Sequence, residues 1–181
     1  MSTLHDNITR LAARHPDLAG SVTNAAGGVL TIEPARSGAP SARRAGRWIH
    51  SAYDPLREAQ TWAAAHASAC RPGETVVVAG VGLLYHVEAL RRALSPEIEL
   101  AVLVPDVDEL QDALTARPIV DWCAQVHWLS GTAEDIAEQL RRSGRPLRCL
   151  SYVPAASANA EFHRVFEEAL RRSLARQSGG Q

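Results

Sequence analysis

Apolar positions along this chain follow two different rhythms. In "TVVVAG" (75–80) and "ELAVLV" (99–104) they come as short unbroken runs, the pattern of strands covered on both faces in a parallel sheet. Between and after these runs they recur every three or four positions, the helical rhythm. In "EFHRVFEEAL", Phe162, Val165, Phe166, Ala169 and Leu170 form one stripe, and Glu167 with Arg171 and Glu168 with Arg172 have favourable i to i+4 spacing for its wet side. The alternation predicts strands at about 75–79, 98–104, 125–129 and 147–153, and helices at about 83–94, 106–115, 132–142 and 159–175. Alternating β and α elements imply right-handed crossovers. The expected fold class is therefore α/β: a Rossmann-like, doubly wound, mainly parallel sheet with helices on both faces and a small N-terminal α+β lead-in.

Residues 1–46 form that lead-in. "TLHDNITRLAARH" carries Leu4, Ile8 and Leu11 on one helical face, offers Ser2 or Thr3 as a cap and stops before Pro16. A stretch rich in Gly, Pro, Ser and Ala follows, with β-like pieces near Val22 and at Val29 to Ile32. The Rossmann-like domain is placed at 47–176, and "QSGGQ" at 177–181 reads as a disordered tail. Within the domain, Asp54 as N-cap and Pro55 at the first helical position mark a sharp helix start.

Composition removes several classes of function. The 181 residues suit one domain, and a formal net charge of −1 gives no field that gathers nucleic acid or an anionic membrane. All 19 basic residues are Arg, so no lysine is available for a Schiff base or a P-loop. Cys70, Cys123 and Cys149 are widely spaced, with no C-x-x-C, which suggests neither a disulfide framework nor a zinc cage and fits a cytoplasmic setting. The N-terminus "MSTLHDNITR" lacks the form of a signal peptide, and no apolar run approaches the roughly 20 residues needed to span a bilayer.

The candidate chemistry centres on the glycine turn "AGVGLLYHVEAL" at 79–90. In a Rossmann-like fold such a turn lets backbone approach a ligand beyond the carboxyl end of the first strand. Gly80 and Gly82 supply two glycines, but Leu84 and Tyr85 stand where a third would fall in the two common patterns. The next strand ends at Val104, where an acid would accept ribose hydroxyls, leaving Asp106 or Asp108 to substitute. Asp106 is equally explained as the cap of the following helix. His50, Ser51 and Asp54 cluster in sequence and read as a loop network rather than a triad. His127 and Trp128 read as core or rim, His5, His15, His66 and His163 as surface, and Trp48, Trp62 and Trp122 as packing residues. No Walker A, G-x-S-x-G, H-E-x-x-H or zinc deaminase pattern occurs.

Taken together, "WIHSAYDPLREAQTW" and "VVVAGVGLLYHVEAL" resemble the amino-terminal region of the motility accessory factor family, flagellin glycosyltransferases related to archaeal hydroxymethylpterin pyrophosphokinase-like proteins. The matching residues are His50, Ser51, Tyr53, Asp54, Pro55, Glu58 and Ala59, then Gly80, Gly82, Tyr85 and His86, then Pro105 and Asp106. Leu84 and Val104 depart from the family pattern. In the family, a sialyltransferase-like domain follows this region. The resemblance therefore implies a free-standing module without the sugar-transfer machinery, without a cofactor, and acting as a partner or specificity subunit in protein glycosylation or motility. Its partners would be another protein or a second copy of itself.

Two alternatives remain open. One is a methyltransferase with S-adenosylmethionine over Gly80 and Gly82. The other is a pocket for a sugar nucleotide or a similar small molecule, built from Tyr53, His86 and their neighbours. Under either, Gly80, Gly82, Tyr85, His86 and Asp106 would touch the ligand, and the loop His50, Ser51, Tyr53 and Asp54 would lie over the glycine turn. That loop would bring His50, Tyr53 and His86 together at the carboxyl edge of the sheet.

Overall fold

The computed structural model describes residues 2–178. The chain opens with helices α1 (Thr3–Ala12) and α2 (Pro16–Thr23), then an antiparallel three-stranded sheet of β1 (Thr31–Pro34), β2 (Pro40–Arg44) and β3 (Arg47–Trp48). Helix α3 (Pro55–Ala67) leads into the alternating part. This consists of β4 (Thr75–Ala79), α4 (Tyr85–Ala93), β5 (Glu99–Val104), α5 (Val107–Ala116), β6 (His127–Ser130), α6 (Ala133–Arg142), β7 (Leu147–Ser151), the single turn α7 (Val153–Ala156) and α8 (Ala160–Ser178).

The second sheet is parallel throughout, with order β6-β5-β4-β7. Its direction of winding reverses between β4 and β7, so the switch point lies at their carboxyl ends, where an open α/β sheet normally binds its ligand. Side chains alternate faces as the pleat requires. Val76, Val78, Leu100 and Val102 pack with Ala59 and Ala63 of α3, Val87 and Leu90 of α4, and Leu110 and Leu114 of α5. Val77, Ala101 and Leu103 pack with Ile136 and Leu140 of α6 and with Phe166 and Leu170 of α8. The fold is the expected Rossmann-like α/β architecture with its N-terminal α+β portion.

Local chemistry starts the helices. The side chains of Ser2, Asp54, Asp106 and Thr132 each accept a hydrogen bond from a backbone N–H in the first turn of the helix they precede, the N-cap arrangement. On α8, Arg164 pairs with Glu161 and Glu168, in place of the predicted partners at 167–171 and 168–172. No helix among the described residues is long and apolar enough to cross a membrane.

The N-terminal elements share the main core: Leu11, Leu18, Val22, Leu30 and Ala42 belong to the same apolar cluster as Val76 and Val78. Buried Asn7 fastens α1 to the end of α5. Its Nδ2 donates to the carbonyls of Leu114 (2.8 Å) and Arg117 (2.7 Å), and its Oδ1 accepts from the Ile119 N–H at 2.9 Å. The Asp112 carboxylate accepts from the N–H groups of Gly28, Val29 and Leu30, each at 2.8 Å. Three expectations are corrected here. Val22 lies in α2 rather than a strand, because Pro16 pre-sets the first turn of a helix. His163 is buried on α8 rather than exposed. Helix α8 runs through Ser178, two residues into the tail expected at 177–181, and residues 179–181 lie outside the described residues.

Candidate functional site

The turn from β4 to α4 uses left-handed backbone at alternate positions, with φ of 110° at Gly80, 51° at Gly82 and 67° at Leu84. The two glycines admit close neighbours. A Cβ on Gly80 would stand 2.8 Å from the Tyr152 carbonyl oxygen, and one on Gly82 would stand 2.6 Å from Nε2 of His50. What approaches this backbone is therefore the protein's own chain. Leu84, at the cap position of α4, holds the third left-handed conformation despite its Cβ, at a cost of about 1–2 kcal/mol; its complete burial in the core offsets that strain.

Exposed amides at such a turn are a natural seat for an anion. Here both are taken. The Gly82 N–H donates to Oε1 of Glu109 at 3.1 Å, and the Leu83 N–H donates to Nε2 of His50 at 2.8 Å. Glu109 is fully buried, and burial pushes its carboxyl up to about 7, against the lowering effects of the Gly82 amide and Arg44. Arg44 reaches Glu109 at 3.2 Å and Asp106 at 3.4 Å, and the Asn159 side chain lies 3.5 Å from Glu109.

A polar chain continues behind His50. Because Nε2 accepts from Leu83, the neutral ring carries its proton on Nδ1, which faces the Tyr152 hydroxyl at a long 3.4 Å. Tyr152 donates to Oε1 of Glu58 at 2.8 Å, and that oxygen also accepts from the Ser51 N–H at 3.0 Å. Burial, then the nearby His86 and Arg117, hold His50 well below its usual value, so it stays uncharged. Burial and the bond to Glu58 push the Tyr152 phenol up.

His86 lies under this chain. Its Nε2–H donates to the Gly80 carbonyl at 2.6 Å, and its ring stacks on Tyr152 with centroids 4.1 Å apart. Burial lowers its pKa to about 4, opposed by the Gly80 bond and assisted by Arg117. Its buried Nδ1 has no hydrogen-bond partner. Tyr85 donates to the Pro40 carbonyl at 2.6 Å, with the Arg117 guanidinium 3.7 Å from its ring centroid. Arg117 in turn donates to the Leu83 carbonyl and to Glu88, each at 2.8 Å.

Of the expected loop, His50 lies against the glycine turn, and its ring stands 6.0 Å from that of His86, centroid to centroid. Tyr53 does not join them; it is 68% exposed. Ser51 Oγ accepts from the N–H groups of Tyr53 (3.0 Å) and Asp54 (3.1 Å), and Asp54 caps α3. This tight loop leaves position 53 facing solvent. Asp106 caps α5 and meets Arg44. Val104 is buried and presents no side-chain acceptor at the end of β5.

The sequence reading omitted Glu109, Tyr152, Arg44 and Arg117 from the site. Only the Tyr152 position, at the end of the strand beside the switch point, carried a signal that could have been used. As a whole the turn is filled by the chain's own polar groups: both nitrogens of His50 are engaged, and Ser51 is committed to its own loop.

No protein-family model matches the chain, and no curated protein sequence matches it. Among solved structures, the chain is similar in fold to the MAf glycosyltransferase of Magnetospirillum magneticum AMB-1, with a TM-score of 0.61 and 13% identity. The match covers 92% of this chain and 35% of that enzyme. Likeness at this identity concerns the fold alone, and the chain spans about a third of that enzyme's length.

Proposed function

We propose that this protein is a non-catalytic Rossmann-like module that serves protein glycosylation, with flagellin as the acceptor class, as a partner- or specificity-determining part. One observation carries the reading: the two turn amides that would hold a cofactor's anionic group are bonded to the chain's own Glu109 and His50. The fold likeness to a glycosyltransferase supports the choice of glycosylation as the setting. Against the S-adenosylmethionine alternative, Asp106 caps α5 and meets Arg44, Asp108 accepts from the N–H groups of Ala26 and Gly27, and the His50 ring lies against Gly82.

The test is a thermal-shift series with S-adenosylmethionine, NAD and a cytidine nucleotide, joined to intact-mass measurement of flagellin from a strain lacking the protein. No ligand shift together with loss of glycan mass is expected. A bound ligand at one hundred times its dissociation constant would add about 2.7 kcal/mol of stability, and such a gain would overturn the non-catalytic reading. Unaltered glycan mass would overturn the link to glycosylation.

A further inference from the structure

A cavity lies at the opposite pole of the parallel sheet, at the amino ends of β5 and β6. It has a volume of about 390 Å³, within the range of small-molecule sites. Leu94, Pro96 and Ile98 give it an apolar wall, Arg14 and Arg91 give it guanidinium groups, and His127 adds an imidazole.

The charge balance there is unusual. Arg91 is only 7% exposed, yet its guanidinium donates to neutral carbonyls alone: Ser95 at 2.7 Å, Ile98 at 2.9 Å and Gln125 at 3.5 Å. Arg14 donates to the Ala124 carbonyl. Among the described residues no carboxylate pairs with either arginine. Glu99 is the one acid on the wall, and it is engaged by Arg145 at 3.4 Å and Thr75 at 3.3 Å. Neighbouring His15 senses the same field: burial, then Arg14 and His127, hold it below its usual value, and its buried Nε2 has no hydrogen-bond partner. Buried cations in proteins are ordinarily matched by an anion. Carbonyl dipoles at the end of α4 supply part of that match, and the open cavity leaves room for the rest.

We propose that this cavity binds a small organic anion, its phosphate or carboxylate head between Arg14, Arg91 and His127 and its apolar body against Leu94 and Pro96. The site is independent of the plugged glycine turn and of any role in glycosylation.

The probe is phenyl phosphate, titrated against the whole protein while backbone amide shifts are followed by NMR, with inorganic phosphate and phenol as controls. Saturable perturbation of residues 91–100 and 125–127 is expected, with phenyl phosphate binding more tightly than either control. Arg14→Gln removes a charge-assisted contact and His127→Gln an imidazole contact, and each should weaken binding, Arg14→Gln by about tenfold or more. Arg91 is left in place because its three carbonyl bonds support the fold. The proposal is overturned by absence of perturbation at these residues, by phenol binding as tightly as phenyl phosphate, or by unchanged affinity in both variants. Because the readout is local to the amino pole, its failure leaves the reading of the glycine turn standing, and a ligand response at the glycine turn leaves this site standing.

Discussion

The two poles of the parallel sheet hold similar chemical groups in opposite states. At the carboxyl pole the Gly82 and Leu83 amides, the Tyr152 hydroxyl and the Arg44 guanidinium each find a partner within the chain. At the amino pole two guanidiniums meet only neutral carbonyls beside a cavity of about 390 Å³. The capacity to bind thus depends less on which fold supplies a crevice than on whether its polar groups are already answered. By that measure the glycine turn, where α/β proteins usually bind, is the occupied site here, and the amino-pole cavity is open.

The largest effect that separates the poles should come from their glycines. Gly80→Ala places a Cβ 2.8 Å from the Tyr152 carbonyl oxygen in a backbone with φ of 110°. Left-handed strain of about 1–2 kcal/mol adds to overpacking of about 1–3 kcal/mol. Gly144, in the turn before β7 at the other pole, has φ of 70° and nothing within 4 Å. Gly144→Ala should therefore lose only the strain, about 1–2 kcal/mol. Urea denaturation of both variants tests the comparison, and equal losses would show that the glycine turn is not tightly filled.

Glu109 gives the second test, through pH. Its folded pKa, raised to about 7 by burial, exceeds the usual carboxyl value. Its proton therefore adds stability that is fully present below about 4.5 and is lost as pH rises through 7. The contribution is roughly 3 kcal/mol. His86 works in the other direction: with its pKa lowered to about 4, its stability is present above 6.5 and lost as pH falls. The two trends oppose one another in the parent protein. Glu109→Gln keeps an acceptor for Gly82 and removes the first trend, so the variant should gain on the parent above pH 7 and show a steeper acid loss. Urea midpoints measured from pH 4.5 to 8 check this, and parallel profiles would mean that Glu109 titrates normally.

Glu109→Ala should cost about 1–3 kcal/mol, because the buried Gly82 amide then lacks its acceptor. The same change should let inorganic phosphate perturb the amides of residues 80–83, which it leaves undisturbed in the parent. Absence of that response would show that His50 alone seals the turn.

What the sequence discloses follows from the range of each interaction. The runs at 75–79 and 99–104 are buried on both faces, so their hydrophobicity alone marks them, and the observed strands begin and end within a residue of expectation. Asp54 and Asp106 cap helices through contacts two or three residues away, which a local pattern records. Glu109 escaped notice because an acid in the first turn of a helix already has a sufficient local explanation in the helix dipole; its partner Gly82 lies across the fold. Tyr53 misled for the complementary reason. Sequence nearness to His50 says nothing about direction, and the Ser51 loop turns that side chain outward. His163 reads as a surface residue because it lies beside the apolar stripe of α8; in the fold it sits by the end of β7, where it borders a small cavity with Ser151 and Glu167.

The smallest expected effect on stability belongs to the amino pole. Arg14 is exposed and donates to one carbonyl, so Arg14→Gln should alter stability by no more than about 0.5 kcal/mol. Its electrostatic consequence is nonetheless specific. Arg14 is the first charged neighbour holding His15 below its usual value, after burial, so removing it should raise the His15 pKa in an NMR titration. Salt then separates field from geometry. At 1 M ionic strength the Debye length shrinks to about 3 Å, and the His15 difference between parent and variant should fall toward zero. A difference that persists at high salt would trace the effect to repacking around His15, and the amino pole would lose the cationic field that distinguishes it from the internally paired glycine turn.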